Sequence, residues 1–271
     1  MTAFQRIIKY CAVAFAVFLI VSIIGGICGT LGMISYYFSG HEDAAGEMRT
    51  YTISENTKSL DIGMSAAALE IVNGDSFSLT SNHKYLSVKD DNGTLRISEE
   101  KKLFGVSSDG VRVTLTVPSG FVFENAAVSA GAGQVRVDTL CANTLDLDLG
   151  AGAAEIACLN VSSTARINGG TGKLTVKSGE LHNLTADIGV GKLELRSRLT
   201  GRCSVDYGIG DAELTLLGRR DDYQIEIEKG VGSATLDGKA IENDCTCGTG
   251  ANQVDIDGGI GSVHIRFEDA A

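Results

Sequence analysis

The chain has 271 residues, 44% of them hydrophobic, with 34 glycines, one proline, no tryptophan and a formal net charge of −11. That length suits one large domain or two small ones. The acidity argues against nucleic acid as a partner, because a phosphate backbone would repel the chain. Glycine stands well above its usual share of about 7%, yet there is no collagen period and no Pro/Ser-rich tract, so structure must place the glycines.

Residues 1–9 contain Arg6 and Lys9 and are expected to be a cytoplasmic N-terminus. Residues 10–38, YCAVAFAVFLIVSIIGGICGTLGMISYYF, carry no charge, and about 20 such residues suffice to cross a bilayer as a helix. The positive flank should stay in the cytoplasm, placing the long C-terminal part outside, with Tyr36, Tyr37 and Phe38 as an interfacial anchor. The apolar run exceeds a signal-peptide core and no clear Ala-x-Ala site follows it, so an uncleaved single-pass anchor is expected. Gly25, Gly26, Gly29 and Gly32 could pair helices or simply face lipid. Residues 39–50 read as a linker.

Residues 51–125 read as irregular strands that cap a larger β structure. Asn92-Gly93 is a hairpin-turn signal. Pro118 should end its strand, since it has no N–H for a ladder. Over 126–268 a Gly-x-Gly unit recurs, with first glycines at 131, 150, 170, 189, 208, 230, 248 and 259. A period near 20 marks a solenoid. Apolar residues alternate after each pair, as in Leu193 and Leu195, and before it, as in Leu184, Ala186 and Ile188. Period two means a strand with one buried face. The expected fold is therefore all-β, a β-solenoid or β-helix-like stack of G-x-G repeats behind one transmembrane helix, with eight units in register.

The Gly-Val-Gly-Lys at 189–192 resembles a phosphate loop but recurs as GAGQ, GTGK, GIGD and GVGS, so its lysine is incidental. A Walker loop would need glycine where Ala186 stands and a hydroxyl where Leu193 stands. No cofactor is implied. Calcium-binding nonapeptides fail as well, with Leu174 or Val263 at the aspartate position.

A strand ending in TVPSG, followed by a train of G-x-G-x-φ-x-φ units (φ an apolar residue) behind an N-terminal anchor, resembles the DUF4097 family of adhesin-like β-strand repeat proteins. The resemblance covers residues 50–268. It implies a bacterial envelope protein with a solenoid-like β fold, and it implies no catalytic residues.

Two residues before each first glycine stand Ser129, Asp148, Asn168, Asp187, Asp206, Glu228, Thr246 and Asp257. Stacked in register, they would form an outer column with a spacing of about 4.8 Å. It is either a solvated polar face or a cation-binding column of Asp148, Asp187, Asp206, Glu228 and Asp257. A hard cation such as calcium wants six to eight oxygen ligands. Asp146/Asp148 and Asp255/Asp257 each share a strand face, the one arrangement open to sugar chemistry, but similar pairs occur throughout. His41, His83, His182 and His264 are scattered without metal spacing. Five cysteines lie beyond the span: Cys141, Cys158, Cys203, Cys245 and Cys247. Their readings are core thiols, a Cys141–Cys158 disulfide, or a metal at the Cys-x-Cys pair.

These observations lead to a non-enzymatic binding module of the cell envelope, serving adhesion or sensing. Its partners would be the membrane and an envelope protein or glycan. The alternatives are a scaffold that self-associates as a homo-oligomer and a polysaccharide-acting enzyme.

Overall fold

The computed structural model describes residues 44–99, 110–242 and 244–269. From Ala45 onward these belong to one compact unit, Ala45–Lys101 with Ser108–Ala271. The expected membrane span 10–38 lies outside the described residues. Among the described residues no helix is long and apolar enough to cross a membrane.

The compact unit is all β. Its strands are β1 (Ala45–Tyr51), β2 (Ser59–Gly74), β3 (Ser78–His83), β4 (Leu86–Asp91), β5 (Thr94–Glu99), β6 (Arg112–Pro118), β7 (Val122–Val176) and β8 (Gly179–His182). They continue as β9 (Leu184–Thr200), β10 (Arg202–Leu217), β11 (Tyr223–Glu228), β12 (Val231–Leu236), β13 (Lys239–Ile241), β14 (Cys245–Cys247) and β15 (Asn252–Glu268). All join one open sheet whose main path runs β1-β3-β6-β2-β7-β8-β9-β10-β15-β11-β14.

Alternation explains the strands. In β9, Leu184, Ala186 and Ile188 are buried, and so are Leu193, Leu195 and Leu199. The first set is even-numbered and the second odd-numbered, so the three residues Gly189–Val190–Gly191 reset the phase by one position. Without that reset the second limb would turn its apolar residues to solvent. The same shift occurs in β10, from Val205 and Tyr207 to Ala212 and Leu214. The second glycine makes the corner: Gly191 and Gly210 both have φ +140, a region that side-chain-bearing residues rarely enter.

Parallel ladders then set like on like. Gly172 pairs with Gly191, Gly191 with Gly210, Gly210 with Gly261, and Gly261 with Gly232. A Cβ on Gly191 would meet the Gly172 backbone, with the carbonyl carbon at 2.8 Å and the nitrogen at 3.0 Å. Close stacking at the corner thus requires glycine on its own account. The buried faces of all levels merge into one apolar cluster that runs from Ile53 to Ile265.

The order of levels departs from chain order. β10 pairs with the C-terminal β15, and β15 pairs in turn with β11 and β12. The level at Gly259 therefore sits between those at Gly208 and Gly230. The expected unit at Gly248 is not a level. β14 runs antiparallel to β11, with Cys247 opposite Ile225. The reason is length: a level consumes about 19 residues, and only 11 separate Gly248 from Gly259.

Both ends of the ladder are closed by antiparallel strands, which blunts exposed edges. β13 covers β12 and β14 covers β11. At the other end β2 pairs in parallel with β7 from Leu60 to Ile71. β5 and β6 extend β2 in parallel, and β4 and β3 pair antiparallel to them. The β4–β5 hairpin turns at Asn92 (φ 52) and Gly93 (φ 83), the pair of positive φ values that a two-residue turn of this hand needs. β6 ends at Pro118, as its missing N–H requires.

Candidate interaction surface

The corner of each level presents three outward tracks. The first is the acidic column. Asn168 pairs with Asp187, Asp187 with Asp206, Asp206 with Asp257, and Asp257 with Glu228. Asp148 joins through Asn168, whose Nδ2 donates to its Oδ1 at 2.6 Å. The column thus runs Asp148, Asn168, Asp187, Asp206, Asp257, Glu228. Thr246 is excluded, because β14 sets it opposite Glu226. Ser129 pairs with Gly63 of β2.

None of Asp148, Asp187, Asp206, Asp257 and Glu228 takes part in an ion pair among the described residues. Burial and the neighbouring Asp187 and Asp257 carboxylates push the Asp206 pKa up, partly offset by the Ser204 hydroxyl. No group of three or more metal-ligating side chains among the described residues could hold a metal ion. One carboxylate per level supplies few of the ligands that calcium requires.

The second track lies three residues further on, between the two glycines of each unit. Val190 is opposite Ile209, Ile209 opposite Ile260, and Ile260 opposite Val231. Their exposures are 45%, 50%, 44% and 67% respectively. Single exposed aliphatics are ordinary; here four stand in one contiguous row. The row continues toward β2 through smaller residues, Thr171 opposite Val190 and Ala132 opposite Ala66. An open groove of about 390 Å³ follows the bare glycines beside the acids, with Asp187, Asp206 and Asp257 on its wall and Ile188 and Tyr207 in its lining.

The third track is charged but neutralised. Glu194 holds Lys173 at 2.8 Å and Lys192 at 2.9 Å, and Lys192 also reaches Glu213 at 2.8 Å. The two ammonium groups, with the Thr175 hydroxyl, hold the Glu194 pKa down at about 2. Charge on this side is matched within the protein, whereas among the described residues the acidic column has no cationic partner.

The histidines remain apart. His83 is buried, with Nε2 3.5 Å from Glu99. His182 meets Thr200 and His264 meets Thr235, and His41 lies outside the described residues. All five cysteines are free. The alternative Cys141–Cys158 bridge is absent; Asn160 Nδ2 instead donates to both sulfurs, at 3.6 and 3.4 Å. Cys203 is buried, and that burial raises its thiol pKa. Cys245 and Cys247 are half-buried with their sulfurs 3.5 Å apart, nearer than the strand spacing alone suggests.

The acidic column was legible in the sequence. The aliphatic row is an addition of the structure. Its signal was present in the middle residue of each unit, which changes from Ala132, Ala151 and Thr171 to Val190, Ile209, Val231 and Ile260.

No family model matches the chain and no curated protein matches it, so the resemblance to the DUF4097 family rests on the motifs alone. Solved structures do show similarity. One is a candidate cell adhesion protein of Clostridium sporogenes, at 16% identity and a TM-score of 0.40, covering 82% of this chain and 99% of that one. A second is a candidate adhesin of Parabacteroides distasonis, at 15% identity and a TM-score of 0.42, covering 84% and 100%. A third, from the same organism, is a candidate lipid binding protein at 14% identity and a TM-score of 0.36, covering 84% and 100%. At these scores the comparison transfers neither a site nor an activity to this chain.

Proposed function

We propose that this chain is a non-enzymatic binding module: a β-solenoid tethered to a bacterial cell membrane by residues 10–38 and displayed outside the cytoplasm, where it engages an envelope partner in adhesion or sensing. The observation that carries the reading is the exposed row Val190–Ile209–Ile260–Val231 beside an unpaired acidic column. An apolar row of this length costs solvation unless something covers it. An uncompensated line of like charge costs self-repulsion unless a cation meets it. The uncharged run at 10–38 behind Arg6 and Lys9 supports the tether and its direction.

Photo-crosslinking in intact cells tests the reading. A photoreactive residue at Ile209 or Ile260 should give one discrete heterologous adduct, and the same residue at exposed Ser163 should give none. Equal adducts at all three positions, or none at any, would overturn it. An adduct at twice the chain mass would support the self-associating scaffold instead. Turnover of an envelope glycan, abolished by Asp148→Asn, would support the enzyme.

A further inference from the structure

Resting on that reading, we propose that the corner surface docks a basic amphipathic α-helix lying along the stack, its apolar stripe on Val190, Ile209, Ile260 and Val231 and its lysines or arginines on Asp187, Asp206, Asp257 and Glu228. Three features of the surface select this occupant.

The first is charge complementarity. Among the described residues the four acids lack ion-pair partners, while the lysines on the far side of the corner are already engaged by Glu194 and Glu213. A cationic partner therefore gains attraction on one flank only, which fixes its orientation about its own axis. The second is the constant offset. Each acid precedes its aliphatic neighbour by three residues, as in Asp187/Val190, Asp206/Ile209, Asp257/Ile260 and Glu228/Val231. The two tracks run side by side, separated by glycine backbone and the groove. A partner must carry its cations and its apolar groups on adjacent stripes of one face, as an amphipathic helix does.

The third is spacing. Levels repeat at about 4.8 Å, so the four rungs span about 14 Å. A helix lying along them repeats its face every turn, about 5.4 Å, and drifts only about 2 Å over three intervals. Lysine side chains, with their four-carbon stems, absorb that drift. An extended strand repeats its face at about 6.8 Å and drifts about 6 Å, more than one rung. A strand laid along one level would meet a single carboxylate. At the Val190, Ile209 and Ile260 corners both sides are paired with neighbouring levels, so strand addition is not available there; among the described residues 231–233 pair only with β15, and a strand added at that end would lie beside one rung alone.

The test uses the full-length chain in zwitterionic lipid nanodiscs, with empty discs subtracted. The probe is a fluorescent leucine/lysine peptide of about fourteen residues, with leucines at helical spacing. One comparison peptide has the same composition in strict alternation, and another carries glutamate for lysine. The helical basic peptide should bind at least about tenfold more tightly than either. Ile209→Gln with Ile260→Gln should weaken it by about tenfold, and so should Asp187→Asn with Asp257→Asn. Replacing both aspartates by lysine should transfer binding to the glutamate peptide. All four positions are exposed, so these variants keep a thermal melt no lower than that of the native chain, and the aspartate replacements, which relieve repulsion on Asp206, raise it. Equal binding by the Ile209→Gln/Ile260→Gln variant would mean unspecific charge attraction and overturn the proposal, as would preference for the alternating peptide. No binding of any peptide, with heterologous crosslinks at Ile209 intact in cells, would reject the helical partner and leave the binding-module reading standing. Loss of both would reject the two together.

Discussion

Replacing three glycines by alanine separates what glycine does in this fold. Gly63 lies in β2 with an ordinary φ, and a Cβ there would meet nothing within 4 Å. Gly63→Ala removes only backbone entropy from the unfolded chain and should stabilise by about 0.5–1 kcal/mol. Gly238, in the turn between β12 and β13, has φ +74 and again nothing within 4 Å. Gly238→Ala adds left-handed strain alone and should cost about 1–2 kcal/mol. Gly191 has φ +140 and would drive its Cβ into the Gly172 backbone, with the carbonyl carbon at 2.8 Å. Strain of about 1–3 kcal/mol then combines with overpacking of about 1–3 kcal/mol, and the neighbour is backbone in a ladder, which cannot rotate away. Gly191→Ala should therefore cost about 4 kcal/mol. Denaturant titration of the full-length chain, followed by circular dichroism at a β-sheet wavelength, reads all three. The ranking Gly63, Gly238, Gly191 is the essential result. A Gly191→Ala variant no less stable than Gly238→Ala would refute the claim that close stacking of levels, rather than turn geometry, demands the second glycine.

The charged tracks give opposite pH signatures. The pKa of Asp206 is raised in the folded state, so the stability it contributes is present at low pH and is lost as pH rises through the raised value. Asp206→Asn should therefore raise the melting temperature at pH 7 and leave it unchanged near pH 3; a lower value at pH 7 would refute the assignment. Glu194 runs the other way: its pKa falls from 4.5 to about 2, so its contribution is present above pH 4.5 and disappears as pH falls toward 2. Allowing for partial exposure of the pair, Glu194→Gln should cost about 1 kcal/mol at pH 7, with the difference from the native chain vanishing toward pH 2 in parallel acid titrations. Cys203 is buried with a raised thiol pKa, so maleimide at pH 7 should modify it only on unfolding. Mass spectrometry of the native chain that found Cys203 modified as fast as half-buried Cys141 would contradict that placement.

How much of this could be read from the chain follows from what each residue encodes locally. Leu193 and Leu195 announce a strand because alternation is a property of neighbours, and the column of acids is visible because each stands at one offset from its glycine. The order of levels is a non-local fact. Nothing near Gly259 states that β15 pairs with β10 ahead of β11; only the intervals of 22 and 11 residues depart from the period, and they do so where the stack is rearranged. The inward position before each first glycine shows a subtler coupling. It reads Gly169, Ile188, Tyr207 and Gly258 in stack order. A Cβ on Gly169 would lie 2.9 Å from Ile188 Cδ1, and one on Gly258 would lie 2.6 Å from Tyr207 Oη. The large side chains fill the space that the glycines leave, one above and one below, so the double glycines of NGG and DGG record the bulk of a residue on another level. Among the described residues Tyr207 Oη has no hydrogen-bond partner. The aliphatic row stayed hidden for the converse reason. Its residues face outward at a corner, away from the buried cluster, so no alternation within one unit announces them, and the row takes shape only once the ladder sets Val190, Ile209, Ile260 and Val231 side by side.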